Sequence, residues 1–393
     1  MIPIDEAQAR IFALKLPVAV EMLPLAVAVG RWASDEVRAL RTQPVRDLSA
    51  MDGYAVRFAA DADIWSVIGE SAAGRRFSGS VRDGEAVRIF TGAVMPDGAD
   101  TVIMQENVTR VGDTLKLTAD APPRPGHHVR KAGSDFVEGT IVVPNGAPYH
   151  ARHIALAAMA GHNTIPARRR IKIAILSTGD ELVPPGQPCA EDQIPSSNDV
   201  MLAAMLNDMP VDCRVFAAVA DDLTILTAQF NTLVDYDIIV TTGGASVGDH
   251  DLIAPALIAA GGQIDFWKIA MRPGKPVIAG QLNGAVVLGL PGNPVSAYVT
   301  AFLLLLPLVR HLSGAVDPLP ARLTAKLGVA LPANGSRTDH MRATLAGGIL
   351  TPFGINDSAM LAALSSSNAL IIRDIDALAA ALHTDIDYYP LPD

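Results

Sequence analysis

Cysteine is almost missing from this sequence. Cys189 and Cys213 are the only two among 393 residues, and they stand far apart with neither CxxC nor mixed Cys/His spacing around them. A disulfide framework and a structural zinc site are both excluded on that ground, and the two side chains read as reduced, inert thiols. Positive charge is scarce as well: 31 Lys and Arg against 41 Asp and Glu leave a net charge of −10. Such a chain has no broad electrostatic grip on nucleic acid or anionic lipid, so neither is expected as a partner. An anionic ligand has to be held by a local basic cluster or by backbone amides. Long apolar runs are lacking too. The most apolar stretch, residues 297–309, falls short of the ~20 residues that span a bilayer and reads as a buried core helix. The opening Met1-Ile2-Pro3-Ile4-Asp5-Glu6 carries acids where a secretion signal carries basic residues, which makes a cytoplasmic location the expectation. No repeat of solenoid length is visible, and the histidines, including His150 and His153, form no zinc-hydrolase pattern.

What is present is apolar and rich in turns. Half of the residues are hydrophobic, with 32 Gly and 28 Pro, which excludes a disordered chain. At roughly 150 residues per domain the length holds two to four domains. Residues 1–43 begin with an amphipathic helical pattern (Ile4, Ala7, Ile11, Leu14) and continue as an extended run. From 44 to 130 short β-rich runs at 64–68, 86–90, 101–104 and 114–118 alternate with glycine turns, the texture of a small β-barrel. Residues 131–168 end in an alanine-rich helix over 150–161, read as packing beside the N-terminal helix in a discontinuous connecting domain that carries the barrel as an insertion. From 169 to 318, buried-strand runs at 171–176, 238–242 and 285–290 each lead into a glycine- or proline-rich turn, with helical segments between or after them, the pattern of a parallel α/β sandwich. Residues 319–393 return to strands, at 321–329, 341–345 and 369–372, as a small C-terminal β domain.

Four segments can carry chemistry. The first strand of the sandwich ends at Ser177-Thr178-Gly179 and then presents Asp180 and Glu181, where open parallel sheets bind their ligands. The run 238–251 ends in Gly243, Gly244, Ser246 and Gly248, whose amides can approach an anion closely, with Asp249 and Asp251 behind them. It matches neither GxGxxG nor a P-loop. Lys268, Arg272 and Lys275 put three cations within ten positions of an acidic protein, a local anion pocket stiffened by Pro273, Gly274 and Pro276. In Leu290-Pro291-Gly292-Asn293-Pro294 a strand turns into a helix, with Asn293 as cap and Pro294 in the first turn, offering free N–H groups to an anion.

Taken together, Ser49-Ala-Met-Asp-Gly-Tyr-Ala55, Phe90-Thr-Gly-Ala93, Ser177-Thr-Gly-Asp-Glu181, Thr242-Gly-Gly-Ala-Ser-Val-Gly248, the basic loop ending at Pro276 and Leu290-Pro-Gly-Asn-Pro-Val-Ser296 resemble, in order, the molybdopterin molybdenumtransferase family (MoeA and the gephyrin E domain). The resemblance implies a multidomain α/β protein: a parallel three-layer molybdopterin-binding domain, an inserted small β-barrel, an extended connecting domain and a C-terminal β domain. It implies Mg²⁺-dependent insertion of molybdate into adenylylated molybdopterin with release of AMP. Position by position it places Asp52, Thr91, Asp135, Glu181, Asp222 and Asp251 as catalytic, with Glu181, Asp222 and Asp251 as metal ligands. It also places Lys268, Arg272, Pro291 and Pro294 on the site. An elongated homodimer is implied, with Asp52 and Thr91 completing the site of the other subunit, and with a molybdopterin adenylyltransferase and molybdoenzyme maturation factors as further partners. The sequence departs from the family at Ser196, at Arg272 and over 337–342. A molybdopterin adenylyltransferase and a non-catalytic pterin carrier or scaffold are the rival readings. The first 168 residues oppose the former, and retention of Asp52, Glu181 and Asp251 opposes the latter.

Overall fold

The computed structural model describes residues 1–118, 124–244, 252–354 and 357–392. The connecting region is built on strand Val20–Pro24, which pairs antiparallel with Thr164–Arg168, and on Val37–Arg38, which pairs with Ile141–Val143. Helix Ala151–Met159 follows His150, whose side chain and that of His153 form a reciprocal capping box. Small residues such as Ala28, Ala157 and Ala167 let this thin layer close around Tyr149, whose hydroxyl donates to Pro166 O at 2.8 Å. Between the halves, Leu48–Ser49 pairs with Val129–Arg130 as the neck of the inserted domain. That domain is a six-stranded sheet in the spatial order 101–104, 53–56, 85–89, 64–71, 114–117, 108–111, wrapped around Trp65, Tyr54 and Leu115.

The central domain has six strands: β1 (Ile171–Ser177), β2 (Val211–Val215), β3 (Ile238–Thr242), β4 (Gln263–Trp267), β5 (Ile278–Leu282) and β6 (Ala285–Leu290), in the order β2-β1-β3-β6-β5-β4. The four strands β1, β2, β3 and β6 run parallel, whereas β5 is antiparallel to both neighbours. The sheet is therefore mixed rather than all parallel, because a short connection at Asn283-Gly284 returns β5 directly into β6 as a hairpin, and a parallel crossover needs a dozen residues or more. Helix α1 (Asn198–Met205) and the long helix 294–312 cover one face. Helices α2 (Leu223–Thr232) and α3 (Ile253–Ala259) cover the other.

The first helix, Ile4–Leu14, does not pack beside helix Ala151–Met159 as the expected discontinuous connecting domain required. Its buried residues Ala7 and Ile11 join the core of the central sheet, with Arg10 bonded to Asp265. The reason lies in the helix opposite. Residues 294–312 form one continuous helix, longer than the run expected at 297–309, with a π-helical turn at Ala301–Leu305. It is long and apolar enough to cross a bilayer, yet 83% of its 18-residue apolar window is buried inside the protein. Pro307 inside this helix has no N–H to give to the carbonyl four residues back, and Gln8 Nε2 supplies the missing bond to Leu303 O at 2.9 Å.

The last domain closes on itself: 338–346, 349–352, 323–327, 385–390 and 369–373 pair in a ring, since the first strand also pairs with the last. Met271–Arg272 from the central domain adds to it, parallel to Thr338-Asp339.

Two connections tie the connecting region to the central domain, and a single carboxylate grips both. Asp237, at the amino end of β3 and 3% exposed, accepts from both terminal nitrogens of Arg169 at 2.7 and 2.8 Å and from the Lys172 N–H at 3.0 Å. It also lies 3.2 Å from Lys15 Nζ. Burial pushes its pKa up, but the bonds from Arg169, Lys172 N–H and Lys15 more than reverse this, leaving it below the ordinary value.

Candidate active site

Ser177, Thr242 and Leu290 lie in register across β1, β3 and β6, so the turns that follow all start at one level. Strand order reverses between β1 and β3, and such a switch point leaves a crevice beyond the carboxyl ends. A cleft of about 540 Å³ opens there. Thr178, Glu181, Asp221, Gly243, Pro291 and Pro294 are among the residues that line it, together with Ser177, Gly179 and Gly244. Gly243 is a position where a side chain is not tolerated: its φ is +91° and an added Cβ would lie 2.3 Å from Thr178 O. Thr178 donates its N–H to Thr242 O at 2.9 Å. Among the described residues its buried hydroxyl has no hydrogen-bond partner, and neither has Asn198 Oδ1. Both residues line the cleft.

The acids expected at the cleft separate. Glu181 stands exposed at its rim. Asp222 is committed elsewhere: it is the N-cap of α2, accepting from the Ile225 N–H at 2.9 Å. The preceding Asp221 lines the cleft instead, with its N–H donating to Asp180 Oδ1. The cap position could have been recognised from an acid directly before an apolar helical run. Ser246, Gly248, Asp249 and Asp251 lie outside the described residues.

The three cations do not converge on one pocket either. None of Lys268, Arg272 and Lys275 lines the cleft, although Pro276 does. Arg272 forms an ion pair with Asp339 of the C-terminal domain, 6% exposed, and that bond raises the guanidinium pKa. The cause is the added strand Met271–Arg272, which carries the side chain to the last domain. Lys268 sits at φ +94°, with its ammonium 5.9 Å from the Trp267 ring. Ile2 holds this loop through its N–H to Lys268 O and through its carbonyl, which accepts from Ala270. The helix start at Pro294 is less open than expected, because Pro294 has no N–H and Val295 N–H is taken by Ser358 O. Asn293 also donates its side chain to Ser358 Oγ.

Asp52 and Thr91 form a second constellation, on the inserted domain. Thr91 donates its N–H and its hydroxyl to Asp52 Oδ1, at 2.7 and 2.9 Å. Those two bonds, the backbone one foremost, hold the Asp52 carboxyl below its ordinary range, with Arg88 assisting. Neither residue lines the cleft of its own chain. Asp135 is exposed in the connecting region and bonds through its N–H to Gln43 O. Sequence reasoning missed Asn198, Asp221, Ser358 and Asp339. The first two sit beside motifs that were read, whereas the last two are brought in by a domain whose sequence carries little signal.

The fold and the cleft define a class: doubly wound α/β proteins with a ligand-sized crevice at the switch point of the sheet. Three family models match the chain, "MoeA N-terminal region (domain I and II)" over residues 2–161, "Probable molybdopterin binding domain" over 174–311 and "MoeA C-terminal region (domain IV)" over 324–390. A molybdopterin molybdenumtransferase of Haemophilus influenzae is 36% identical over 318 residues, 80% of this chain and 78% of that one. Molybdopterin molybdenumtransferase 2 of Mycobacterium tuberculosis is 33% identical over 389 residues, 94% of each. The solved MoeA protein of Pyrococcus horikoshii superposes with a TM-score of 0.85 at 27% identity, covering 100% of both chains. This chain belongs to the MoeA family of molybdopterin molybdenumtransferases.

Proposed function

We propose that the chain inserts molybdate, its second substrate, into the dithiolene of adenylylated molybdopterin and releases AMP, with Mg²⁺ as cofactor. The observation that carries this reading is Thr178. Among the described residues its buried hydroxyl has no partner where three strands end in register, and an unmet buried donor costs roughly 1–3 kcal/mol. A phosphate oxygen of the substrate restores that bond. The positive φ at Gly243 and Gly244 turns backbone amides toward the same anion. Lys268 and Lys275 stand outside the cleft lining and attract the molybdate oxyanion at longer range, while Arg272, paired with Asp339, holds their loop in place.

Magnesium suits the donors at the rim. It takes oxygen ligands, keeps several waters and needs one or two carboxylates beside substrate phosphates. Glu181 and Asp221 line the cleft and are assigned to it, in place of Asp222. When bound, the ion supplies polarisation of phosphoryl oxygens. Glu181 also orients the water that attacks the phosphoanhydride. Asp52 and Thr91 lie away from their own cleft, which supports a homodimer in which each pair serves the other copy. Mixed dimers of Asp52→Ala with Glu181→Ala are the test: one intact site returns if sites are shared, and activity stays at the level of the dead homodimers if they are not. The activity itself is tested with purified protein, adenylylated molybdopterin, molybdate and Mg²⁺. AMP release that requires all components is the expected result, and none above the protein-free control overturns the reading.

A further inference from the structure

The central sheet has two edges, and only one is covered. Along β4 the first helix places Arg10, which bonds Asp265 at 2.8 Å and stacks 5.5 Å from the Phe266 ring centre. Along β2, Val211–Val215, no strand of the described residues pairs with the outer side. Asp212, Cys213, Arg214 and Val215 are all exposed.

The hydrogen-bond parity of this edge follows from its partner. Ile171 N–H donates to Pro210 O and Phe216 N–H to Ile175 O, in a parallel register that sets Ile171 opposite Val211. Even-numbered residues of β2 therefore turn their N–H and C=O groups toward β1, and 211, 213 and 215 turn theirs outward. Val211 already donates its N–H to Met209 O, and its carbonyl accepts from Arg170, so the groups open to a partner are those of 213 and 215. Such an edge is a template for another extended chain.

The sequence of the edge identifies that chain. Pro210-Val211-Asp212-Cys213-Arg214-Val215-Phe216 is a chemical palindrome about Cys213. Laid antiparallel on a copy of itself, Cys213 falls opposite Cys213, Asp212 opposite Arg214, Val211 opposite Val215 and Pro210 opposite Phe216. Both charged pairs are of opposite sign, the arrangement that favours cross-strand neighbours. Arg214 has its guanidinium over Phe216 at 4.7 Å and no ion-paired acid among the described residues. The Asp212 carboxylate bonds Arg170 at an exposed rim, and its two oxygens leave room for a second donor. Cys213, with outward amides, becomes a hydrogen-bonded pair across the two-fold axis. Beside the strand an open groove of about 610 Å³, bordered by Lys172, Val234 and Tyr236, leaves space for the incoming side chains.

We propose that Val211–Val215 is a homotypic interface through which a second copy of this chain pairs antiparallel, joining two six-stranded sheets into one of twelve strands. The contact is short, so the association is weak and salt-sensitive. It does not depend on the functional reading above, nor on any dimer contact elsewhere on the molecule.

The test uses full-length protein in a Cys189→Ser background, leaving Cys213 as the one thiol, and a short bismaleimide. A cross-linked dimer through Cys213 is expected, with its yield falling as salt is raised. Arg214→Asp and Asp212→Arg each place like charges opposite one another in both pairs, and each should lower the yield about tenfold or more. Mixing those two variants recreates opposite charges at both positions, so cross-linking should return, and only between unlike copies. Circular dichroism checks that each variant is folded. No cross-link in the parent protein overturns the proposal, as does a folded Arg214→Asp protein that cross-links as well as the parent, or a mixture that fails to recover.

Discussion

Asp237→Asn is the most informative single change for the assembly of the two large parts of the chain. The buried carboxylate neutralises Arg169 and Lys15, which belong to the two chain segments joining the connecting region to the central domain. Removing one partner of a buried ion pair costs about 3–5 kcal/mol. Here the Arg169 and Lys15 side chains keep 35% and 23% exposure, so water recovers part of their hydration. Asparagine also still accepts one bond from the Lys172 N–H. A loss of about 2–3 kcal/mol at neutral pH is therefore expected. Read by hydrogen exchange on peptides covering 171–177 and 238–242, that corresponds to a roughly 30- to 150-fold loss of protection. The sign with pH is definite. The folded carboxyl has a lowered pKa, so its stabilisation is complete above the unfolded value near ~4 and is lost as pH falls through the folded value. Parent and variant should converge in acid. Equal protection at neutral pH, or a gap that stays constant into acid, would show that the clamp contributes nothing.

Three further changes separate packing from chemistry. Gln8→Leu leaves Leu303 O without the donor that Pro307 lacks and should cost about 1–3 kcal/mol, visible as faster exchange in the helix 294–312, and unaltered exchange there would refute that account. Gly243→Ala forces a Cβ against Thr178 O at positive φ and should abolish AMP release in a protein that still folds, because the strain of about 1–3 kcal/mol is local to the cleft turn; full activity would mean the turn is not shaped for the ligand. Glu181→Ala should leave the melting temperature unchanged, since the side chain is exposed, and should eliminate AMP release. Retention of full release at low Mg²⁺ would remove Glu181 from the reaction.

Strands were legible where their residues are buried on both faces. Residues 238–242 and 285–290 read as continuous apolar runs ending at a glycine or proline turn, and the observed bounds are the same. Direction was not legible, because a buried strand such as Ile278–Leu282 has a sequence that looks alike in either sense. The partner of the first helix was hidden for another reason: Gln8 answers a carbonyl 295 residues away, which no local pattern encodes. At the cleft, glycine and proline spacing marked the turns, since backbone conformation is a property of those residues. Which acid faces the ligand was not marked. Asp221 and Asp222 are chemically equal, and only the start of α2 decides that the second is spent as a cap. Arg272 likewise reads as a free cation until Asp339, 67 residues on, is brought beside it.

The attachment of the first helix has a consequence for synthesis. Ile4–Leu14 leaves the ribosome well before the surface it covers, which includes Asp265 and Leu303. At about 5–20 residues per second, that surface arrives roughly 15–60 s later. The inserted domain, whose strand pairs all lie between residues 53 and 117, can fold in the meantime, but Ala7, Ile11 and the Gln8 amide have nothing to bind. An isolated helix of 11 residues is marginal in water. Helix Ile4–Leu14 therefore stays unfolded while the 295 residues up to Leu303 are made, a waiting substrate for chaperones and proteases.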